Sequence, residues 1–342
     1  MKKIMISIVI FIMIFSIVGC TATKSEEIDL NSDDKTNNKT VDVNDDSTKV
    51  KTVDVNITVP AGSTALSMVK LIKDGVDIEG YNVNIEVIKA TDLLASKVLS
   101  GESDMVLLPT NLAAKLYNKG VDYSLKSVNV WGSLFLVSAE QLTSIKDLEG
   151  KTITMIGKGL TPDILMKYIL KENNVKDVEF NYVSGGSELA PLFLSGKSKI
   201  SIMPEPVLSI ILSKKPNTKI VLDFQKEWKS ISGGDSSYPQ AGIFVKNSFT
   251  SSNKEFVEKF MQKYRDASEW VNTNKEEAGI YYESLDLGLP AKVIEESIER
   301  SNIHFETALE AKDDLNKYYN VLFDNSKDSI GGKVPSEDFY GN

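Results

Sequence analysis

The chain has one cysteine, one histidine and two arginines in 342 residues. Each scarcity removes a class of chemistry. With Cys20 alone, no intramolecular disulfide can form, so packing must hold the fold unaided. With His304 alone, neither a cluster of histidine metal ligands nor a Ser-His-Asp set with a second histidine in reserve can be assembled. Within Asn302-Ile303-His304-Phe305 that histidine reads as structural. Phosphate loops are missing too. Gly150-Lys151-Thr152 ends like one, but Ile145 stands where a glycine is required five residues earlier. Gly157-Lys158-Gly159 lacks the third glycine of a dinucleotide fingerprint and reads as a turn before a helix. No repeat of about 20 to 50 residues is visible, which argues against solenoids and propellers.

The apolar run Ile4 to Val18 is shorter than the roughly 20 residues a helix needs to cross a hydrocarbon core. Preceded by Lys2 and Lys3 and followed by Gly19-Cys20, it reads as a signal peptide over residues 1–19. Ile17-Val18-Gly19-Cys20 resembles the lipobox of bacterial lipoproteins. By that resemblance Cys20 becomes the lipidated N-terminus, anchored at the extracytoplasmic face of the cell membrane. The alternative is a permanent membrane anchor ending in a chance cysteine, and in both cases the remaining chain faces outward. Without residues 1–19 the chain carries 37 basic against 48 acidic side chains, a net of −11. That balance disfavours nucleic acid, whose affinity comes from Lys and Arg neutralising phosphates. Residues 20–52 are mostly Asp, Asn, Lys, Thr and Ser and cannot bury enough apolar surface to fold, so they read as a disordered tether.

Beyond Val53 short β-rich runs alternate with helical segments. Val53 to Pro60, Asn82 to Ile88, Asp104 to Leu108 and Ser124 to Val130 predict strands of a first α/β series. Thr152 to Ile156, Val178 to Val183, Lys199 to Met203 and Lys219 to Leu222 predict a second. Single helices between strands call for parallel sheets covered on both faces. After the strand-like run Ala241 to Val245, everything beyond Ser252 reads as helix. There Phe256, Phe260, Tyr264, Ala267 and Val271 recur at core-facing spacing. The expected divisions are a first lobe of residues 53–135 and 240–330 and a second of residues 136–239.

Ligands of open α/β sheets bind beyond the carboxyl ends of the strands. Gly62, Ser63 and Thr64 follow the first strand, Pro109, Thr110 and Asn111 the third, and Gly159, Leu160 and Thr161 open a helix in the second series. Exposed helix N–H groups and hydroxyls there suit a ligand, or they simply cap helices. Glu205 lies between Pro204 and Pro206, either as a ligand-facing carboxylate or as a complement to a helix dipole. Trp131 and Tyr238, with Gln240 nearby, stand at the two candidate crossings between lobes. They would stack on a ring or pack a hinge.

Three stretches carry a family likeness: Asp104 to Ala114, Asp147 to Ile153 and Ile202 to Val207. In their order and spacing they resemble the substrate-binding proteins of bacterial ABC importers, in the group of nitrate, sulfonate, taurine and thiamine-precursor binders. The resemblance covers roughly residues 53 to 330. It implies a type II periplasmic-binding-protein fold: two α/β lobes joined by two crossing strands, a cleft between them, and a helical C-terminal segment. It also implies a monomer that closes on a small nutrient and docks on a membrane permease, with no cofactor, no metal and no catalysis. Arg265 and Arg300 fall on the C-terminal helices, outside every candidate loop, so bidentate capture of sulfonate or nitrate is not expected, although Lys158 and helix N-termini are open to an anion. A neutral or cationic heterocycle is favoured. The other readings are a pyrimidine-synthase-like enzyme with a pyridoxal cofactor on lysine, and a receptor or adhesin that does not transport.

Overall fold

The computed structural model describes residues 52–89, 93–233 and 237–341. Cys20, the expected signal peptide and nearly all of the expected tether lie outside the described residues. The chain first lays down β1 (Val53–Pro60), β2 (Tyr81–Ile88), β3 (Met105–Pro109) and β4 (Tyr123–Trp131). With them come helices α1 (Ser63–Ser67), α2 (Val69–Asp74), α3 (Leu93–Ser100) and α4 (Thr110–Asn118). It then passes through Gly132-Ser133 into a second lobe. That lobe has strands β5 (Leu134–Ser138), β6 (Thr152–Ile156), β7 (Glu179–Val183), β8 (Ile200–Pro204) and β9 (Lys219–Asp223). Its helices are α5 (Thr161–Glu172), α6 (Gly186–Leu194), α7 (Val207–Lys214) and α8 (Phe224–Ser232). The return brings β10 (Pro239–Lys246), α9 (Asn247–Ser252), α10 (Lys254–Thr273), α11 (Lys275–Glu283), α12 (Ala291–Ser297), β11 (Ile303–Thr307) and α13 (Lys312–Ser326). The sheets run β11-β4-β10-β3-β1-β2 and β7-β6-β8-β5-β9.

Both sheets are mixed, where single-helix connections predict parallel ones. β1 pairs in parallel with β2 and β3, and β6 with β7 and β8. Three strands depart from this: β11, which pairs antiparallel with β4, and β10 and β5, which are the first to follow each pass between lobes. Ala241 near the start of β10 lies beside Pro109 at the end of β3, and Leu134 at the start of β5 beside Pro204 at the end of β8. A chain entering a lobe from the junction runs away from it, against strands whose carboxyl ends point toward it.

Two elements escape the sequence pattern. β11, read as helix, pairs antiparallel with β4, with Ile303 and Phe305 buried and His304 exposed. Asn302, at φ 45°, ends the preceding helical turn. α8 starts where the Asp223 carboxylate accepts the amides of Gln225 and Lys226 and stops at left-handed Gly233. Phe224 and Trp228, four apart, bury its inner face.

The apolar residues divide by sheet face. Val55, Ile57, Met105, Leu107, Ile243 and Val245 meet the buried stripe of α10. On the opposite face Val106, Leu108 and Phe244 meet α13. That cluster continues without a break into the second lobe through Leu134, Leu136, Ile153 and Ile164. The far face of the second sheet carries Phe135, Val137 and Met203 against α6 and α7, as strand alternation dictates.

β10 lies between β3 and β4 and departs from regular pairing near Gly242. A Cβ on Gly242 would sit 2.1 Å from the Ser127 carbonyl oxygen, a backbone atom that cannot swing aside. Gly242→Ala is expected to cost about 2–3 kcal/mol, as overpacking of a tight core does. A urea titration reads this as a lower midpoint at unchanged slope.

Candidate functional site

About half of the residues expected from sequence to face a cleft gather in two groups where the lobes meet. At the first, Ser63 at the start of α1 donates to the backbone carbonyl of Glu205 (3.2 Å), joining the lobes. The Glu205 side chain is wholly buried. One carboxylate oxygen accepts from the Arg300 Nε (2.5 Å) and the Ser209 hydroxyl (3.1 Å), the other from the Ser209 backbone N–H (3.1 Å). Arg300 also donates through Nη2 to the Ser209 hydroxyl (2.7 Å), so its fork grips both ends of one small network. Ser301 completes the group at 3.3 Å from Ser63. Burial pushes the Glu205 carboxyl above its ordinary value, and the guanidinium and Ser209 pull it back only in part.

Arg300 corrects the sequence reading, which set it outside every candidate loop. It lies in the 3-10 turn Glu299–Ser301 after α12, and α12 packs on α7 across the lobes. Glu205 accepts the Ser209 amide in the first turn of α7, as a helix-dipole complement would, and the cation it holds is the protein's own Arg300.

The second group centres on α13. The Thr161 hydroxyl meets the Tyr318 hydroxyl at 2.8 Å and lies 3.4 Å from Asn111 Oδ1. Thr110 donates to the carbonyl of Pro239 (2.6 Å) and accepts at its own carbonyl from Tyr319 (3.1 Å). Tyr238 is fully buried, stacked on Tyr318 and edge-on to Trp228. Its hydroxyl lies near the Ser133 and Leu134 amides but reaches hydrogen-bond geometry with no partner among the described residues, and the Trp228 indole N–H is likewise unpartnered. Gln240 closes the crossing, accepting from the Ser133 amide and donating to its hydroxyl, both at 3.0 Å.

Other expected residues are engaged elsewhere. The Gly62 amide donates to the Tyr282 hydroxyl (2.9 Å), and the Thr64 hydroxyl folds back on the Pro60 carbonyl (2.6 Å). Pro109 is half-buried and precedes α4. Trp131 is buried at the crossing and donates its indole N–H to the His304 carbonyl (2.9 Å). Gly159 and Leu160 face solvent. The amide of Gly159 is taken by Asp163, whose carboxylate also accepts from Tyr182 and pairs with Lys167. A carboxylate therefore occupies the N-terminus of α5, where an anion was thought admissible, and would repel one. Lys158 stands over the Tyr182 ring instead, at 5.5 Å.

His304 is exposed on β11 and pairs with Glu306 (3.2 Å). With Trp131, Lys275, Glu299 and Asp314 it borders a surface depression of about 500 Å³. Among the described residues no group of three or more His, Cys, Asp or Glu is placed to hold a metal. The contributors that sequence reasoning missed are Arg300, Ser301, Ser209, Ser133, Trp228 and Tyr318. Only Arg300 carried a signal, as one of two arginines among 39 basic residues.

Arg300→Ala leaves the Glu205 carboxylate buried without a cation, which is expected to cost about 3 kcal/mol near neutral pH. Glu205 already binds its proton more tightly in the folded state, and losing Arg300 raises that affinity further. A carboxyl of this kind favours the folded state below the ordinary value of 4.5, and the advantage is lost as pH rises through the folded value. The deficit of the variant relative to the parent should therefore shrink on acidification and grow toward neutrality. Urea titrations across that range decide the point; a deficit independent of pH would place the loss in packing.

Comparison with known proteins agrees with this architecture. Residues 123–278 match the family model described as NMT1/THI5 like. No curated protein matches the sequence. An ABC transporter structure from Parabacteroides distasonis is 24% identical, with 84% of this chain and 98% of that one covered, at a TM-score of 0.72. The periplasmic aliphatic sulphonate binding protein SsuA of Escherichia coli is 13% identical, with 83% and 92% covered, at 0.67. The periplasmic nitrate-binding protein NrtA of Synechocystis PCC 6803 is 13% identical, with 85% and 84% covered, at 0.64. At these identities the likeness speaks to the fold. Over residues 123–278 the chain thus resembles the NMT1/THI5-like family, and its fold is that of the type II periplasmic binding proteins.

Proposed function

We propose that this protein is an extracytoplasmic solute-binding lipoprotein. A diacylglycerol on Cys20 holds it at the membrane, residues 20–52 tether it, and the lobes of residues 53–135 with 240–330 and of residues 136–239 close on one small nutrient molecule. The closed form docks as a monomer on an ABC-transporter permease. The observation that carries this reading is the meeting of loops from both lobes at strand ends: Ser63 with Glu205, and Asn111 with Thr161. Such contacts form on closure and break on opening. Each neutral hydrogen bond contributes about 1 kcal/mol net, so a few of them leave closure within reach of ligand energy. A micromolar solute supplies about 8 kcal/mol.

The solute is a neutral or cationic heterocycle. Tyr238 and Trp228 bring buried rings and unpartnered donors to the junction, while Asp163 disfavours an anion at α5. Exposure of His304, paired with Glu306 on the edge strand and remote in contacts from Glu205, speaks against the enzyme reading, which needs histidine chemistry in the cleft.

Native mass spectrometry of gently purified protein should reveal one small-molecule adduct per chain. Sustained conversion of that molecule, or a pyridoxal absorbance band, would overturn the assignment. Cys20→Ala should release the protein from membranes and impair uptake while solute affinity stays unchanged, measured by fractionation and isothermal titration. Reduced affinity would show that anchor and cleft are not independent.

A further inference from the structure

Glu205 and Arg300 are the charged pair at the first group of junction contacts, and they come from different lobes. The pair sits among hydroxyls: Ser63 on α1, Ser209 on α7, and Ser301 in the turn after α12. Glu299, the nearest charge along that turn, is exposed and paired with Lys275 at 3.4 Å. Asp163 is committed to Lys167, the Gly159 amide and Tyr182. Among the described residues, no other cation contacts Glu205. The remaining junction groups, Thr110, Asn111, Ser133, Thr161, Tyr238 and Gln240, are uncharged.

A cationic solute seeking Glu205 must displace Arg300 and strand the guanidinium. An anionic solute seeking Arg300 strands a carboxylate that has no exposed surface. The first exchange frees a guanidinium that is only part-buried, and the second leaves a wholly buried carboxylate unpaired, where burial penalises a charge most. An uncharged solute leaves the pair intact and draws on hydroxyl, amide and ring contacts, including the unpartnered Tyr238 hydroxyl.

Resting on the solute-site reading above, we propose that Arg300 sets the charge selectivity of the site: it supplies the counter-ion of Glu205 from within the protein, so the site admits uncharged solutes and turns away both cations and anions. This narrows the neutral-or-cationic class to its neutral half.

The test uses the full chain and compares wild type, Arg300→Ala, Arg300→Lys and the double variant Arg300→Ala with Glu205→Gln. Thermal unfolding is followed with methylguanidinium, benzamidinium, taurine and nitrate, against sodium chloride at equal ionic strength. Wild type should show no saturable response to methylguanidinium, benzamidinium or nitrate. Arg300→Ala should gain saturable stabilisation by methylguanidinium, with affinity at least about tenfold above wild type, and the double variant should lose that gain. Arg300→Lys keeps the charge but gives up the second contact of the fork; it should still show no saturable response to methylguanidinium, and a response there would overturn the proposal even if Arg300→Ala does not fold. Micromolar binding of benzamidinium or nitrate by wild type overturns the proposal, as does Arg300→Ala taking up methylguanidinium no better than wild type. Failure of the solute-site reading has a different signature: wild-type protein carries no small molecule while methylguanidinium still rescues Arg300→Ala, and the selectivity claim then falls with the site.

Discussion

Gly132 is pressed so closely against Tyr238 that a Cβ on it would fall 2.2 Å from the ring. This contact joins the two passes of chain between the lobes. Gly132 is on the outward pass, Tyr238 on the return, and Gln225 Oε1 would lie 2.5 Å from the same Cβ. Around it the crossing is tied by backbone groups: the Gly132 amide to the Tyr238 carbonyl, and the Gly132 carbonyl to Asn302. The ring then hands the contact to Trp228 and Tyr318, and so to α8 and α13. Every junction side chain is placed relative to this point, because both sheets start or end strands beside it.

From that geometry the handling of charge follows. Strand ends from both lobes converge, and strand ends are where helices begin, so acidic caps are brought inward along with the helices they serve. Asp163 remains on its own lobe, balanced by Lys167 and two neutral donors. Glu205 is carried to the junction and finds its cation on the other lobe. Under the proposed hinge closure that difference makes Glu205 sensitive to lobe separation and Asp163 indifferent to it: opening would expose Glu205 and Arg300 together, and closing would desolvate them together.

The parts of this arrangement legible in sequence were those governed by local rules. Strand and helix alternation, the buried stripe of α10 and the polar residues after each strand followed from period and from turn chemistry. β11 was not legible, since Ile303 and Phe305 give only two inward positions and a five-residue strand exists there only because β4 offers an edge. The antiparallel entries of β5 and β10 depend on where the chain crosses, which no local pattern records. Arg300 and Tyr318 lie 95 and 157 residues from Glu205 and Thr161, their respective partners. Nothing in their neighbourhoods names those partners. Conversely, Thr64 and Gly159 carried the expected local signature and were used locally, which is the usual fate of a cap residue.

The use of arginine adds a last constraint. With 39 basic residues and only two arginines, the chain relies on lysine for nearly every positive charge, where a flexible ammonium suffices. Both arginines bear on the approach to β11 and its exit. Arg265 stacks over Phe305 of that strand, 4.6 Å from the ring centroid, and pairs with Glu310 just beyond it. Arg300 lies three residues before the strand's first paired position, Ile303, and reaches across to Glu205. A planar fork can stack on a ring or bridge a carboxylate and a hydroxyl at once; a lysine at either place would surrender one of those contacts. The edge strand that sequence could not announce is thus held at both ends by the two side chains that sequence marked only by their rarity. One of those ends is also the contact between the lobes, so a shift in the turn at Glu299–Ser301 would be felt at β11 and at Glu205 together.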